Sequence, residues 1–266
     1  MNVYREVMML FPLCPRGTTW DALMSADTLV PDSNVPWPFN ERKILYIIGC
    51  IAKALQFMHE KGFSHRDVKP HNILLAEPPT ASSDADLRQV GLPLLMDFGS
   101  VAAARCDVKN KSQAMNLEEE AALKTSAAYR YPTASSFDIQ GCLVIVVVVL
   151  YLLVIYSLCS RAPELTSVPY PPCVIDERVD TWALGCTMFC LAFGRSPFET
   201  PKEGVVRLGI LNGRYQVPVG RRMRNCTFSE QFERSFLQPM LQVESKLRPS
   251  MAALAQSCDD LLSARI

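Results

Sequence analysis

Apolar residues recur at helical spacing at Ile44, Ile47, Ile48, Ile51, Ala52, Leu55 and Met58, between Asn40 and Gly62. The pattern predicts a long helix that buries one face, capped by the asparagine and stopped by the glycine. Upstream, residues 7–13 are apolar and read as a strand, 18–26 as a short helix, and 31–39, with three prolines, as a loop. Downstream, the short apolar run 92–96 reads as a strand. Residues 77–91, rich in Pro, Ala, Ser and Asp, read as a hairpin tip or surface loop. Within 100–130, Glu118-Glu119-Glu120 followed by alanines predicts a short helix with a solvated face. Asp180 to Gly185 opens a helix apolar enough to be buried. Thr200-Pro201-Lys202-Glu203 has the form of a capping box with proline at the first helical position, and Gly213 ends the helix it would start. Two final helices are expected over 229–242 and 250–263. No internal repeat is visible.

Length and composition narrow the class. The 266 residues suit one large domain or two small ones, and 49% hydrophobic residues supply a sizeable core. Lys+Arg and Asp+Glu both number 27, so no net field argues for nucleic acid or an acidic membrane as partner. The ten cysteines are scattered without a Cys-x-x-Cys pair, which favours reduced thiols in a cytoplasmic setting over a disulfide framework or a zinc site. Cys186 and Cys190 share a helical face, as core packing explains. The start, Met1-Asn2-Val3, has neither a signal-peptide pattern nor the Met-Gly of a myristoylation site.

The candidate chemistry is concentrated in His65-Arg66-Asp67-Val68-Lys69-Pro70-His71-Asn72. Phosphoryl transfer needs a carboxylate to take the acceptor hydroxyl's proton, a cation beside the moving phosphate and an oxygen ligand for magnesium. Asp67, Lys69 and Asn72 supply these within one short loop. Met96-Asp97-Phe98-Gly99 then follows an apolar run, as a magnesium-binding Asp-Phe-Gly should follow a strand. Ala162-Pro163-Glu164, Asp180-Thr181-Trp182 and Leu247-Arg248-Pro249 complete the series in order.

This series resembles the C-terminal lobe of a protein kinase. The chain is most similar to the Numb-associated kinase family, in its myristoylated and palmitoylated serine/threonine kinase branch. The residues that carry the resemblance are Phe11-Pro12, Arg16 to Trp20, Leu95 to Val101 and Cys173 to Trp182. It covers nearly the whole chain except 131–160. It implies a mainly α fold, a kinase C-lobe over 18–266, with 1–17 as the last strand and hinge of the N-lobe. It implies ATP and Mg2+ as cofactors and proteins as substrates. Asp67 would be the base, Lys69 would meet the γ-phosphate, and Asn72 and Asp97 would hold magnesium. Leu13 and Cys14 would meet adenine at the hinge, with Phe11 near the gatekeeper position and Leu74 beneath the ring. His65 and Phe98 would join the hydrophobic spine, Arg66 would contact the activation segment, and Glu164 would pair with Arg248.

Two departures qualify these expectations. The glycine-rich loop, strand lysine and helix glutamate of a kinase lie upstream of the hinge, so ATP is expected to have a floor and no roof. Residues 131–160 are extra, with an arginine on each side, so that one of Arg130 and Arg161 belongs to the insert. Its core, 142–158, is 17 uncharged residues, eight of them β-branched, at the lower limit for a transmembrane helix. A span there would split one lobe across a bilayer. The segment therefore reads first as a retained intron, and second as a membrane anchor or interfacial loop. Three functions follow: a serine/threonine kinase, a catalytically inactive lobe acting as a binding module, and a membrane-associated form held by 142–158. The resembling branch is associated with Golgi and perinuclear membranes through lipids, whose attachment site this chain lacks.

Overall fold

The computed structural model describes residues 13–25, 36–77, 85–127, 160–169, 172–200, 204–223 and 225–264. The strand expected over 7–13, apart from Leu13, and the run 142–158 lie outside these residues, as does the insert 131–160 apart from Ser160. What is described is mainly helical, with five two-stranded antiparallel ribbons.

The first helix, α1 (Thr19–Ser25), is followed by the long α2 (Glu41–Glu60). Asn40 caps α2 by accepting the Lys43 N–H at 2.9 Å, and Gly62 leaves it at a left-handed φ of +81°. The apolar face read from the sequence is the buried one, Ile44, Ile47, Ile48, Ile51 and Leu55 all being fully enclosed. The ribbon β2 (Ile73–Ala76) with β3 (Leu92–Leu95) forms the expected hairpin. Its connection also contains a helix, α3 (Ala85–Val90), that the turn-rich composition concealed. Strand β1 (Phe63–Ser64) pairs with β4 (Ala102–Ala103), and β5 (Cys106–Val108) with β6 (Cys173–Ile175).

Helix α4 (Lys111–Ala127) is longer than expected, and it is more than a solvated face. Ala114 and Leu117 are buried in a second apolar cluster with Leu165, Trp182, Phe198 and Ile210. After α5 (Pro163–Thr166), helix α6 (Arg178–Phe193) is buried on every side from Val179 to Phe193 and ends on Gly194, whose φ of +70° closes the helix. Gly185 lets the backbone around Met240 approach: a Cβ there would lie 2.9 Å from the Met240 Cβ. Of the capping box expected at Thr200, residues 201–203 lie outside the described residues. Thr200 belongs to β7 (Glu199–Thr200), paired with β8 (Gly204–Val205), and α7 (Arg207–Asn212) starts later, though it ends at Gly213 as expected. Short-range strand pairing outcompeted the local helix signal. A hairpin β9 (Arg222–Met223) with β10 (Cys226–Thr227) leads to α8, a helical run of Glu230–Phe232, a π-helical Glu233–Leu237 and Gln238–Met240. The chain closes with α9 (Met251–Ala264), packed along α2.

Polar groups lock these layers together. The Ser229 N–H and hydroxyl both donate to the Glu41 carboxylate, at 2.8 and 3.0 Å, joining the starts of α2 and α8. Arg248 donates to Glu164 in bidentate fashion, at 2.6 and 2.8 Å, with the arginine side chain fully buried. It also donates to the carbonyls of Arg178, Gln242 and Val243 and lies over the Trp182 ring. Helix α1 docks on the 65–72 loop: the Thr19 hydroxyl donates to the Pro70 carbonyl at 2.7 Å, and Trp20 stacks on His71 at 4.4 Å.

Two stability predictions follow from these contacts. Removing the Glu164 carboxylate by Glu164→Ala leaves Arg248 charged in the interior, and is expected to cost about 3–5 kcal/mol in urea unfolding. A loss below ~1 kcal/mol would mean that the carbonyl bonds alone hold the guanidinium. The second concerns pH. Burial, and then the Lys69 charge, push His71 from 6.5 down to about 3. The unfolded chain therefore takes up a proton near 6.5 that the folded chain refuses until about 3. Stability falls as pH drops through that window, by up to about 1.4 kcal/mol per unit. The difference between wild type and His71→Gln should show this slope; parallel stability curves down to about pH 4 would refute it.

Candidate active site

Two ribbons frame the 65–72 loop. The β1–β4 pair, with Ser64 opposite Ala102, holds its start, and the β2–β3 pair, with Ile73 opposite Leu95, holds its end. The partner strands flank Asp97-Phe98-Gly99 on either side. Sheet pairing therefore brings two motifs distant in sequence to one place, and the Met96 N–H completes the join by donating to the Asn72 carbonyl at 2.9 Å.

Within the loop, Asp67, Lys69 and Asn72 are buried together. The Lys69 ammonium donates to Asp67 Oδ2 at 2.9 Å, and the Asn72 amide donates to the same oxygen at 3.1 Å and to the Asp67 carbonyl at 2.8 Å. The three candidate residues are thus one hydrogen-bonded cluster. Asp97 stands at φ +63°, exposed, with Oδ1 accepting the Gly99 N–H at 3.2 Å. With its amide nitrogen turned to Asp67, Asn72 keeps a side-chain carbonyl oxygen as acceptor. That oxygen and the Asp97 carboxylate are hard donors of the kind magnesium takes, and a pair of protein ligands suffices where phosphates and water fill the remaining positions. The residues present fit the ion. Among the described residues no cluster of three His, Cys, Asp or Glu offers an alternative metal site.

Arg66 also has a positive φ, +66°. Its guanidinium donates to the Ala103 carbonyl at 3.0 Å, just beyond Asp97-Phe98-Gly99. His65 is fully buried, its Nε2 donates to the Met96 carbonyl at 3.1 Å, and it meets the Phe98 ring edge-on at 5.5 Å. Phe98 itself is 58% exposed, so only one face of it is packed. The end of the segment expected to be the hinge is tied to β2: the Leu75 N–H donates to the Gly17 carbonyl at 2.9 Å, and the next residue, Thr18, bridges Leu74. Leu74 is half-buried, Cys14 half-exposed and Leu13 exposed.

Sequence reasoning placed Asp180 at the mouth of a buried helix and gave it no part in the site. Its carboxylate is fully buried and accepts the backbone N–H groups of His65 at 2.8 Å and Arg66 at 2.7 Å, with the His59 ring at 2.8 Å. It therefore holds the left-handed turn that aims Asp67. The available signal was a charged residue at the start of an otherwise apolar helix. Thr187 adds a hydroxyl bond to the Val68 carbonyl at 3.3 Å.

Comparison with known proteins agrees with this geometry. Residues 2–126 match the model of the protein kinase domain. The chain is 30% identical over 258 residues to serine/threonine-protein kinase 16 of Homo sapiens, covering 96% of this chain and 66% of that protein. Its counterpart in Mus musculus is 29% identical over the same share of each chain. Serine/threonine-protein kinase ENV7 of Saccharomyces cerevisiae is 28% identical over 202 residues, 75% of this chain and 42% of its own length. The chain thus spans just under two thirds of the mammalian relatives it matches. Together with the Asp67–Lys69–Asn72 cluster and the paired Asp97 segment, these matches support a place for the chain in the protein kinase superfamily.

Proposed function

We propose that this chain transfers the γ-phosphate of ATP to serine or threonine hydroxyls of protein substrates. The observation that carries the reading is the buried cluster in which Asp67, Lys69 and Asn72 share hydrogen bonds. Asp67 is the group that takes the acceptor hydroxyl's proton. Two donors hold its carboxylate in one orientation, so no rotation is needed as the proton arrives. Lys69 supplies a fixed positive charge beside that carboxylate, where charge on the transferring phosphoryl group is stabilised most effectively. Asn72 and Asp97 are the residues that would hold magnesium, which when bound neutralises phosphate charge. Leu13 and Cys14 would contact the adenine from the hinge, and Leu74 from below. The fold that carries these parts reads as a kinase C-lobe over 18–266, following a hinge remnant. Its place in the Numb-associated family rests on the sequence motifs quoted above. Among the described residues no helix is long and apolar enough to cross a membrane. Attachment through 142–158, and with it a Golgi or perinuclear address, is a separate proposal that alkaline carbonate extraction decides: release of the chain into the soluble fraction rejects it.

Thermal unfolding with and without ATP and Mg2+ tests nucleotide binding. A magnesium-dependent rise in Tm that Asp97→Asn abolishes is expected. In parallel, phosphate transfer to a serine-containing substrate protein should fall about 10²- to 10⁴-fold in Asp67→Asn. Absence of both nucleotide stabilisation and transfer in the unmutated chain would reject the enzyme and favour a non-catalytic binding module.

A further inference from the structure

A cavity of about 470 Å³ lies where the end of α7, the end of α8 and the loop before α9 meet. Three of its lining side chains are amides, and each turns its nitrogen back onto the protein. Asn212 donates to the Leu208 carbonyl at 2.8 Å, Gln238 to Glu233 Oε1 at 3.2 Å, and Gln242 to the Gln238 carbonyl at 2.9 Å. Their side-chain carbonyl oxygens are left as acceptors. Glu244, exposed on the same wall, adds a carboxylate that forms no ion pair among the described residues. Gln238 and Leu241 line the cavity from the last turn of α8, so the negative end of that helix dipole lies at the same place. No basic side chain balances these groups. Arg214 and Lys246, beside lining residues in the chain, stand outside the lining, and Arg248 is committed to Glu164.

The remaining wall is apolar. Leu241 is buried, whereas Val243 is 40% and Leu247 61% exposed. The Tyr215 ring is held edge-on by Phe189 and Phe198, at 5.8 and 6.1 Å. A fitting ligand therefore carries positive charge, several N–H donors and an apolar stem. A hard metal ion would find one carboxylate and leave the apolar wall unused. An ammonium brings three donors; a guanidinium brings five, in a plane that also stacks on an aromatic face. The exposed Val243 and Leu247 favour a protein segment over a free small cation, because residues flanking the arginine would cover them.

We propose that this cavity binds an arginine side chain of a partner protein. Glu244 and the amide oxygens take the guanidinium, and Tyr215, Val243 and Leu247 take its stem and neighbours. The site is independent of the phosphotransfer reading.

The test is fluorescence anisotropy of the full chain with three dye-labelled peptides, identical except for a central Arg, citrulline or Glu between leucines. Citrulline keeps the shape of arginine and removes the charge. The Arg peptide should bind about tenfold or more tighter than the citrulline peptide, the range of a hydrogen bond to a charged group. That preference should shrink as salt rises. Glu244→Gln should reduce it, Glu244→Lys should turn it towards the Glu peptide, and Leu247→Ala should weaken the Arg and citrulline peptides alike. If Glu244→Lys fails to fold, Glu244→Gln decides. Equal affinity for the Arg and citrulline peptides, no binding of any peptide, or a preference unchanged in Glu244→Gln would overturn the proposal. Agmatine, a free guanidinium, binding as tightly as the Arg peptide would reject a protein as the source.

Discussion

The site depends on one buried carboxylate. Asp180 accepts two consecutive backbone N–H groups and a histidine ring while fully enclosed. Arg66 adopts a left-handed conformation that costs an ordinary residue roughly 1 kcal/mol or more. The charge-assisted bonds from Asp180 offset that cost and fix the direction in which the next residue, Asp67, leaves the backbone. Because Asp180 sits in the first turn of α6, the rigid central helix and the reactive loop are a single mechanical unit.

A second constraint acts on the other side of α6. The Glu164–Arg248 pair joins the short helix α5 to the loop before α9, and Arg248 and Arg178 exchange hydrogen bonds through their backbone carbonyls. Trp182 lies between this pair and Phe198, stacked on the latter at 5.1 Å. Two apolar clusters therefore meet along α6. One holds α2, α8 and α9; the other holds α4, α5 and α7. The reactive loop is supported from the first cluster, and the cavity between α4, α5, β8 and α7 is built from the second.

The β-ribbons are short, yet they decide what meets what. Each contributes few hydrogen bonds, but β1–β4 and β2–β3 fall on either side of both key motifs. A one-residue slip in either ribbon would turn alternate side chains to the opposite face and break the alignment of Asn72 with Met96. The buried Ile73 and Leu75 against the exposed Leu94 set that register.

Much of this was legible in the amino-acid order. Helix α2 declares itself through Ile44 to Met58 and its Asn40 cap because amphipathic periodicity is a local property. The catalytic candidates Asp67, Lys69, Asn72 and Asp97 are legible because their chemistry demands fixed residue types at short spacing. The pairing of Glu164 with Arg248 was expected only through family resemblance. Other features depend on contacts between distant residues. Helix α3 hides in a turn-rich stretch, and the helix signalled at Thr200 starts only at Arg207, after the β7–β8 pair. A charged residue opening an apolar helix marks Asp180, but nothing local names Arg66, 114 positions away, as what it supports. Sequence by itself determined the long amphipathic helix α2 and the identity of the reactive groups, since both arise from neighbours along the chain. Tertiary structure alone decided which backbone amides the buried carboxylate holds and which acceptor groups share a cavity, because burial and hydrogen-bond geometry exist only once distant segments have packed.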